Sequence, residues 1–234
     1  MNKIFAFVLG CIIAIPAFAQ QQFRQEVTKG ITLVYEALDD QEGAVAVKGM
    51  EWAEETDVAI TIPETVTNNG VQYQVVAIGD GAFRNRDITE VILPQSIKTI
   101  NRNAFTDCRY LRSIVLNDQI EAILFEAFRG CMNLQQINFP SSLKKLERGI
   151  FQDCFAIKHI DLPELSYIPA DMFRYCLGLE SVSVPATVKK IGTETFKECR
   201  NLKFVLRDNV EVGHKAFFNC ASVKNEHGVD LTTK

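Results

Sequence analysis

One short phrase recurs through this chain, and its period limits what the chain can fold into. It reads AFTDCRYL at 104–111, AFRGCMNL at 127–134 and MFRYCLGL at 172–179. Its phenylalanines stand at 83, 105, 128, 151, 173, 196 and 217, in steps of 21 to 23 residues. From Phe105 on, each is followed three residues later by a cysteine: Cys108, Cys131, Cys154, Cys176, Cys199 and Cys220. An apolar residue then stands at Cys plus three: Leu111, Leu134, Ile157, Leu179, Leu202 and Val223. A fixed period in this range is the signature of a solenoid.

The rest of the period supplies the local structure. Ile114 and Leu116, Ile137 and Phe139, Ile160 and Leu162, and Val182 and Val184 are apolar pairs two apart. Such pairs predict short strands with one buried face. A proline follows at 94, 140, 163 and 185, where it stops the strand and opens a turn. A further apolar residue stands five before each phenylalanine, from Ile78 to Val212. The A-F-x-x-C stretch is too short for a full helix and predicts one or two helical or 3₁₀ turns. No single unit can bury its own apolar face, so the units must stack, with parallel strands ~4.8 Å apart.

SIKTINRNAFTDCRYLRSIVL and TVKKIGTETFKECRNLKFVL resemble the BspA-type leucine-rich repeat family, and VTNNGVQYQVVAIGDGAF at 66–83 is similar to the segment that often opens such arrays. The resemblance covers 78–223 strongly and 31–77 loosely. It implies an exported or surface protein of a commensal or parasitic microbe, acting in adhesion or recognition. The fold class read here is α/β: a leucine-rich-repeat solenoid, a β-rich horseshoe of about seven ~23-residue coils with an N-terminal β cap.

Both ends depart from the pattern. The first copy has Arg86 at the cysteine position, and in the last Arg207 falls where an inward leucine belongs. The last strand is therefore expected to shift by one residue, turning Phe204 and Leu206 inward. Irregular terminal repeats act as caps. GITLVYEAL (30–38), GAVAVKG (43–49), DVAITIP (57–63) and VQYQVVAI (71–78) read as cap strands, the third already like a repeat strand. The expected organisation is 1–19 signal peptide, 20–77 β cap, 78–223 solenoid and 224–234 C-terminal tail.

The opening MNKIFAFVLGCIIAIPAFA has one cation, an apolar run and Ala17-Phe18-Ala19. This reads as a secretory signal cleaved before Gln20. A second reading takes Val8-Leu9-Gly10-Cys11 as a lipoprotein box with Cys11 lipidated. Removing Lys3 leaves 24 cations against 29 anions. That balance, with no basic stripe, argues against nucleic acid, and no later segment is long and apolar enough to span a membrane. The chain ends NEHGVDLTTK, without an apolar tail, so surface attachment is not written there.

Chemistry is sparse. Six cysteines in an exported chain invite three disulfides, but stacked equivalents point the same way, so their Cβ vectors do not converge. Buried free thiols are expected instead, and a column does not surround a point as zinc requires. His159 and Asp161 share a strand face, with no accompanying nucleophile motif. No metal motif, P-loop or dinucleotide fingerprint occurs. The expectation is a non-enzyme without catalytic residues, metal or cofactor.

The candidate partner-binding face is the outward side of the strands. One column is Glu90, Ser113, Gln136, His159 and Ser181; the other is Ile92, Val115, Asn138, Asp161 and Ser183. Ile92 and Val115 make one end apolar, which contact with the cap would explain; a ligand footprint is the alternative. The expected partner is a macromolecule, first a host or neighbour-cell protein. A glycan ranks lower because exposed aromatics are missing from the two columns. The expected location is the cell surface or exterior, with a periplasmic scaffold as the other reading.

Overall fold

A computed structural model of the chain describes residues 22–52 and 58–233. The segment read as a signal peptide, with Cys11, lies outside the described residues. The chain enters as β1 (Gln22–Thr28), β2 (Ile31–Ala37), β3 (Ala44–Trp52), β4 (Val58–Thr61), β5 (Thr65–Asn68) and β6 (Val71–Ile78). Twelve short strands follow: β7 (Ile88–Ile92), β8 (Thr99–Ile100), β9 (Ser113–Val115), β10 (Ala122–Ile123), β11 (Lys145–Leu146) and β12 (His159–Asp161). The last six are β13 (Tyr167–Ile168), β14 (Ser181–Ser183), β15 (Lys190–Ile191), β16 (Lys203–Leu206), β17 (Glu211–Val212) and β18 (Ser222–Asn225).

Two parallel ladders run along the solenoid. The outward face is built from β4-β7-β9, then β12-β14, then β16-β18. The second ladder uses the apolar residue five before each phenylalanine. It runs β6-β8-β10-β11 and resumes as β13-β15-β17. Its break has a cause in the period: five positions separate Pro163 from Ile168, whereas six separate Pro140 from Leu146 and Pro185 from Ile191. The cap and the solenoid interleave. β4 already pairs with β7 in the outward ladder, and β6 joins the antiparallel cap strands to the second ladder.

The α/β reading needs correction: no helix forms among the described residues. The phenylalanine stretch is a pair of left-handed turns. Both the residue two before and the residue two after every phenylalanine have positive φ, such as Asn103 and Asp107 around Phe105, or Asp171 and Tyr175 around Phe173. A left-handed residue every four positions excludes a right-handed helix. In return the chain faces its neighbours. Asn103, Phe105 and Asp107 donate their amides to the carbonyls of Phe125, Ala127 and Arg129 in the next coil, and the same triple recurs at Glu194, Phe196 and Glu198.

Between these turns the rings stack. Phe83, Phe105, Phe128, Phe151, Phe173, Phe196 and Phe217 are all fully buried, with centroids 5.1–5.6 Å apart and planes within 10°. These are offset stacks. Each phenylalanine is flanked by two left-handed residues, which cost roughly 1–2 kcal/mol apiece where they are not glycine. The buried ring, worth about 1.5–3 kcal/mol, and the inter-coil hydrogen bonds, about 0.5–1.5 kcal/mol each, together offset that cost. The seven phenylalanines bound about six turns rather than seven complete coils.

The six described cysteines are free and buried. Each thiol donates to the carbonyl of the phenylalanine one coil earlier, as in Cys131 Sγ to Phe105 O at 3.2 Å and Cys199 Sγ to Phe173 O at 3.1 Å. Burial pushes the thiols of Cys108 and Cys220 up to about 12 and raises the other four as well. The thiolate is disfavoured by desolvation.

The last strand shifts as its sequence requires. Phe204 packs edge-on against Phe217, Leu206 is buried and Val205 points outward. The tail then folds back. Leu231 packs on the core and donates its amide to Val223 O, and Asn219 N donates to Thr232 O. Residues 226–232 thus cover part of the last coil.

Candidate functional site

The coils present every candidate residue away from the core. Glu90, Ile92, Ser113, Val115, Gln136, Asn138, His159, Asp161 and Ser183 are exposed, and Ser181 is half-buried. Backbone register aligns them: Glu90 with Ser113, Ile92 with Val115, His159 with Ser181 and Asp161 with Ser183. β4 extends both columns by Ala59 and Thr61, and β16 adds the exposed Val205. The sequence signal for the first pair was Val58-x-Ile60-x-Ile62.

Two parts of this face differ. At the N-terminal end Ile92 is 46% and Val115 61% exposed. Thr61 of β4 lies beside Ile92 in the ladder, yet the described cap residues leave both side chains largely open. They form an open apolar ridge.

In the middle the ladder is broken. In successive coils Arg112 N donates to Thr89 O, Gln135 N to Arg112 O, Glu180 N to Lys158 O and Lys203 N to Glu180 O. Among the described residues this series skips Lys158, and residues 134–140 belong to no strand. One column two residues after each cysteine differs between the coils. Asn133 reaches back with its amide to Arg109 O at 2.7 Å, and Asn201 to Leu177 O at 2.9 Å. Ala156 stands at the same place and has no amide to offer. At Gly178 the next coil comes so close that a Cβ would lie 2.1 Å from Phe155 O. The coil carrying Phe155 is thus drawn toward its C-terminal neighbour, and its other side lacks that tie.

A groove of about 730 Å³ lies at this break, lined by Gln135, Gln136, Ile137, Asn138, Phe155, Ala156, Lys158, His159, Asp161 and Gly178. Four of the ten candidate residues line it. Phe155, Ala156 and Lys158 were not singled out from the sequence; the signal was the missing asparagine at 156. His159 is held at both nitrogens, Nδ1 at 2.7 Å from Ser181 Oγ and Nε2 at 3.0 Å from Asp161 Oδ1. The Ser183 hydroxyl and the His159 imidazole hold the Asp161 carboxyl below the usual range. Ser181 is not among the groove-lining residues, so the imidazole clamp acts as a fixed polar contact. Among the described residues no three metal-ligating side chains converge.

The sequence model of the BspA type Leucine rich repeat region matches residues 76–203 in six copies, more than half of the chain. This chain belongs to the BspA-type leucine-rich-repeat family. Solved structures agree with that placement. The leucine rich repeat protein of T. pallidum is 28% identical, with a TM-score of 0.70 over 80% of this chain and 86% of that one. A leucine rich cell surface protein from Faecalibacterium prausnitzii is similar in fold, with a TM-score of 0.72 and 24% identity. That likeness covers 88% of this BspA-type chain but 55% of the F. prausnitzii chain. A leucine-rich repeat protein from Bacteroides ovatus has a TM-score of 0.56 and 22% identity over 86% of this chain and 71% of that one. No curated protein matches. Among the described residues no helix is long and apolar enough to cross a membrane.

Proposed function

We propose that this protein is an exported recognition module that binds a macromolecular partner, a protein in the first place, across the outward strand face. The observation that carries the reading is the Ile92–Val115 ridge: two apolar side chains paired across a ladder, on a face that no other part of the described chain covers. Solenoids bind through such extended faces, and an exposed apolar surface rimmed by polar residues marks an interaction site. Family membership and a cell surface protein among the structural neighbours favour export, as does the Ala17-Phe18-Ala19 segment. The reading assigns no catalysis, because both ring nitrogens of His159 are already engaged, by Ser181 and Asp161.

Two experiments test it. Protease shaving of intact cells should release peptides from 78–223; protection until the envelope is opened would make the protein a periplasmic scaffold. Beads coated with the protein should adhere to host or neighbouring cells. Val115→Arg and Asn138→Arg should abolish adherence while the thermal melt stays in place, since exposed substitutions shift stability by only about ±0.5 kcal/mol. Adherence that survives both variants would remove this face from the function.

A further inference from the structure

We infer that the groove beside His159 is a carbohydrate subsite that takes a neutral oligosaccharide. The inference rests on the reading of the outward face as the binding surface, and it concerns a different part of that face from the apolar ridge.

The break in the ladder decides what the groove walls offer. Ser181 N donates to Lys158 O and Leu162 N donates to Ser183 O, so alternate residues of that strand are spent on β14. In a parallel ladder the intervening residues, His159 and Asp161, turn their backbone groups the other way, toward the broken side. Such groups are left open to water or to a ligand. The side chains add more of both kinds. The amides of Gln136 and Asn138 each donate and accept, the ionised Asp161 accepts, and Lys158 donates. The occupant that suits such a mixed field carries groups that each donate and accept, and a hydroxyl does both. A sugar ring presents several.

Three further observations narrow the class. Lys158 and Asp161 cancel, so the groove has no charge preference for a phosphate, sulfate or uronic acid. Phe155 stands at the lip and is 36% exposed, offering a flat apolar surface against which the C–H face of a pyranose can stack, as amphipathic partners do on aromatic rings. The groove closes inward, because Phe128 and Phe151 keep the same two coils at a ring spacing of 5.5 Å on the spine, which suits a short ligand at the face rather than one that passes between the coils.

The test is affinity gel electrophoresis of the purified protein in soluble starch, mannan, xylan and mixed-linkage β-glucan, with heparin as the acidic control. At least one neutral polysaccharide should retard the protein, and heparin should not. Phe155→Ala and Asp161→Ala should each weaken that retardation at least tenfold, with Gln136→Ala as a second polar variant, all with unchanged melts. Val115→Arg, on the ridge, should leave retardation intact. No retardation by any neutral polysaccharide, retardation by heparin, or full retardation of the Phe155 and Asp161 variants would each overturn the subsite. Bead adherence lost in Val115→Arg would keep the face reading standing even then.

Discussion

Along the phenylalanine spine, repeated sets of backbone hydrogen bonds and a buried ring stack tie each coil to the next. Along the outward face the ladder stops after β9 and resumes at β12. The spine tolerates left-handed backbone at Glu126, Tyr175, Glu198 and Lys215, residues with no intrinsic liking for it. The face opens between the coils of Asn138 and His159, where Ala156 has no amide to offer. The difference lies in redundancy. Ring burial, thiol donors and amide donors all act at each spine interface, so no one residue decides it. Each face interface has only a short run of ladder bonds, with an added side-chain amide tie at Asn133 and Asn201, so fewer contacts hold the face closed. Stability resides in the spine, and surface chemistry is free to vary on the face.

The largest effect should come from breaking the spine. Phe151→Ala opens a cavity between Phe128, Phe173 and the edge of Phe139, and should cost about 3–5 kcal/mol in urea denaturation. A cost near zero would mean that the stack is not the principal support. Gly178→Ala should come next. Its Cβ meets backbone, the Phe155 carbonyl, which cannot rotate away; overpacking of this kind costs typically 1–3 kcal/mol. The smallest effect should be a gain. Ala156→Asn places an amide where it reaches the Met132 carbonyl, as Asn133 reaches Arg109, and should stabilise by about 0.5–1.5 kcal/mol. A loss of stability, or none gained, would show that the missing amide does not cause the break.

Much of the fold was legible because burial leaves a periodic trace. The phenylalanine, cysteine and leucine columns, the inward strand residues and the one-residue shift at Phe204 and Leu206 are read from spacing alone. The helical turn was misread although a signal stood beside it. Asn85, Asp107, Gly130, Asp153 and Asn219 share the position two after the phenylalanine, and these residue types favour left-handed backbone. The ten face residues point where their alternation put them, and the apolar end at Ile92 and Val115 was legible, but its exposure and the groove were not. The exposure of Ile92 depends on where the cap ends, and the groove depends on how the coil of Ala156 meets a coil more than twenty residues earlier.

By itself, then, the sequence determined the period, the buried columns and the direction of each side chain, because the hydrophobic effect is non-directional and needs only the right residue types at the right spacing. Tertiary structure decided which backbone groups find partners. A hydrogen bond has a direction and a short reach, so its closure between coils depends on how two distant segments meet. At the outward face that meeting is incomplete between Gln136 and His159, and the open donors and acceptors there are the part of this protein that its period does not record.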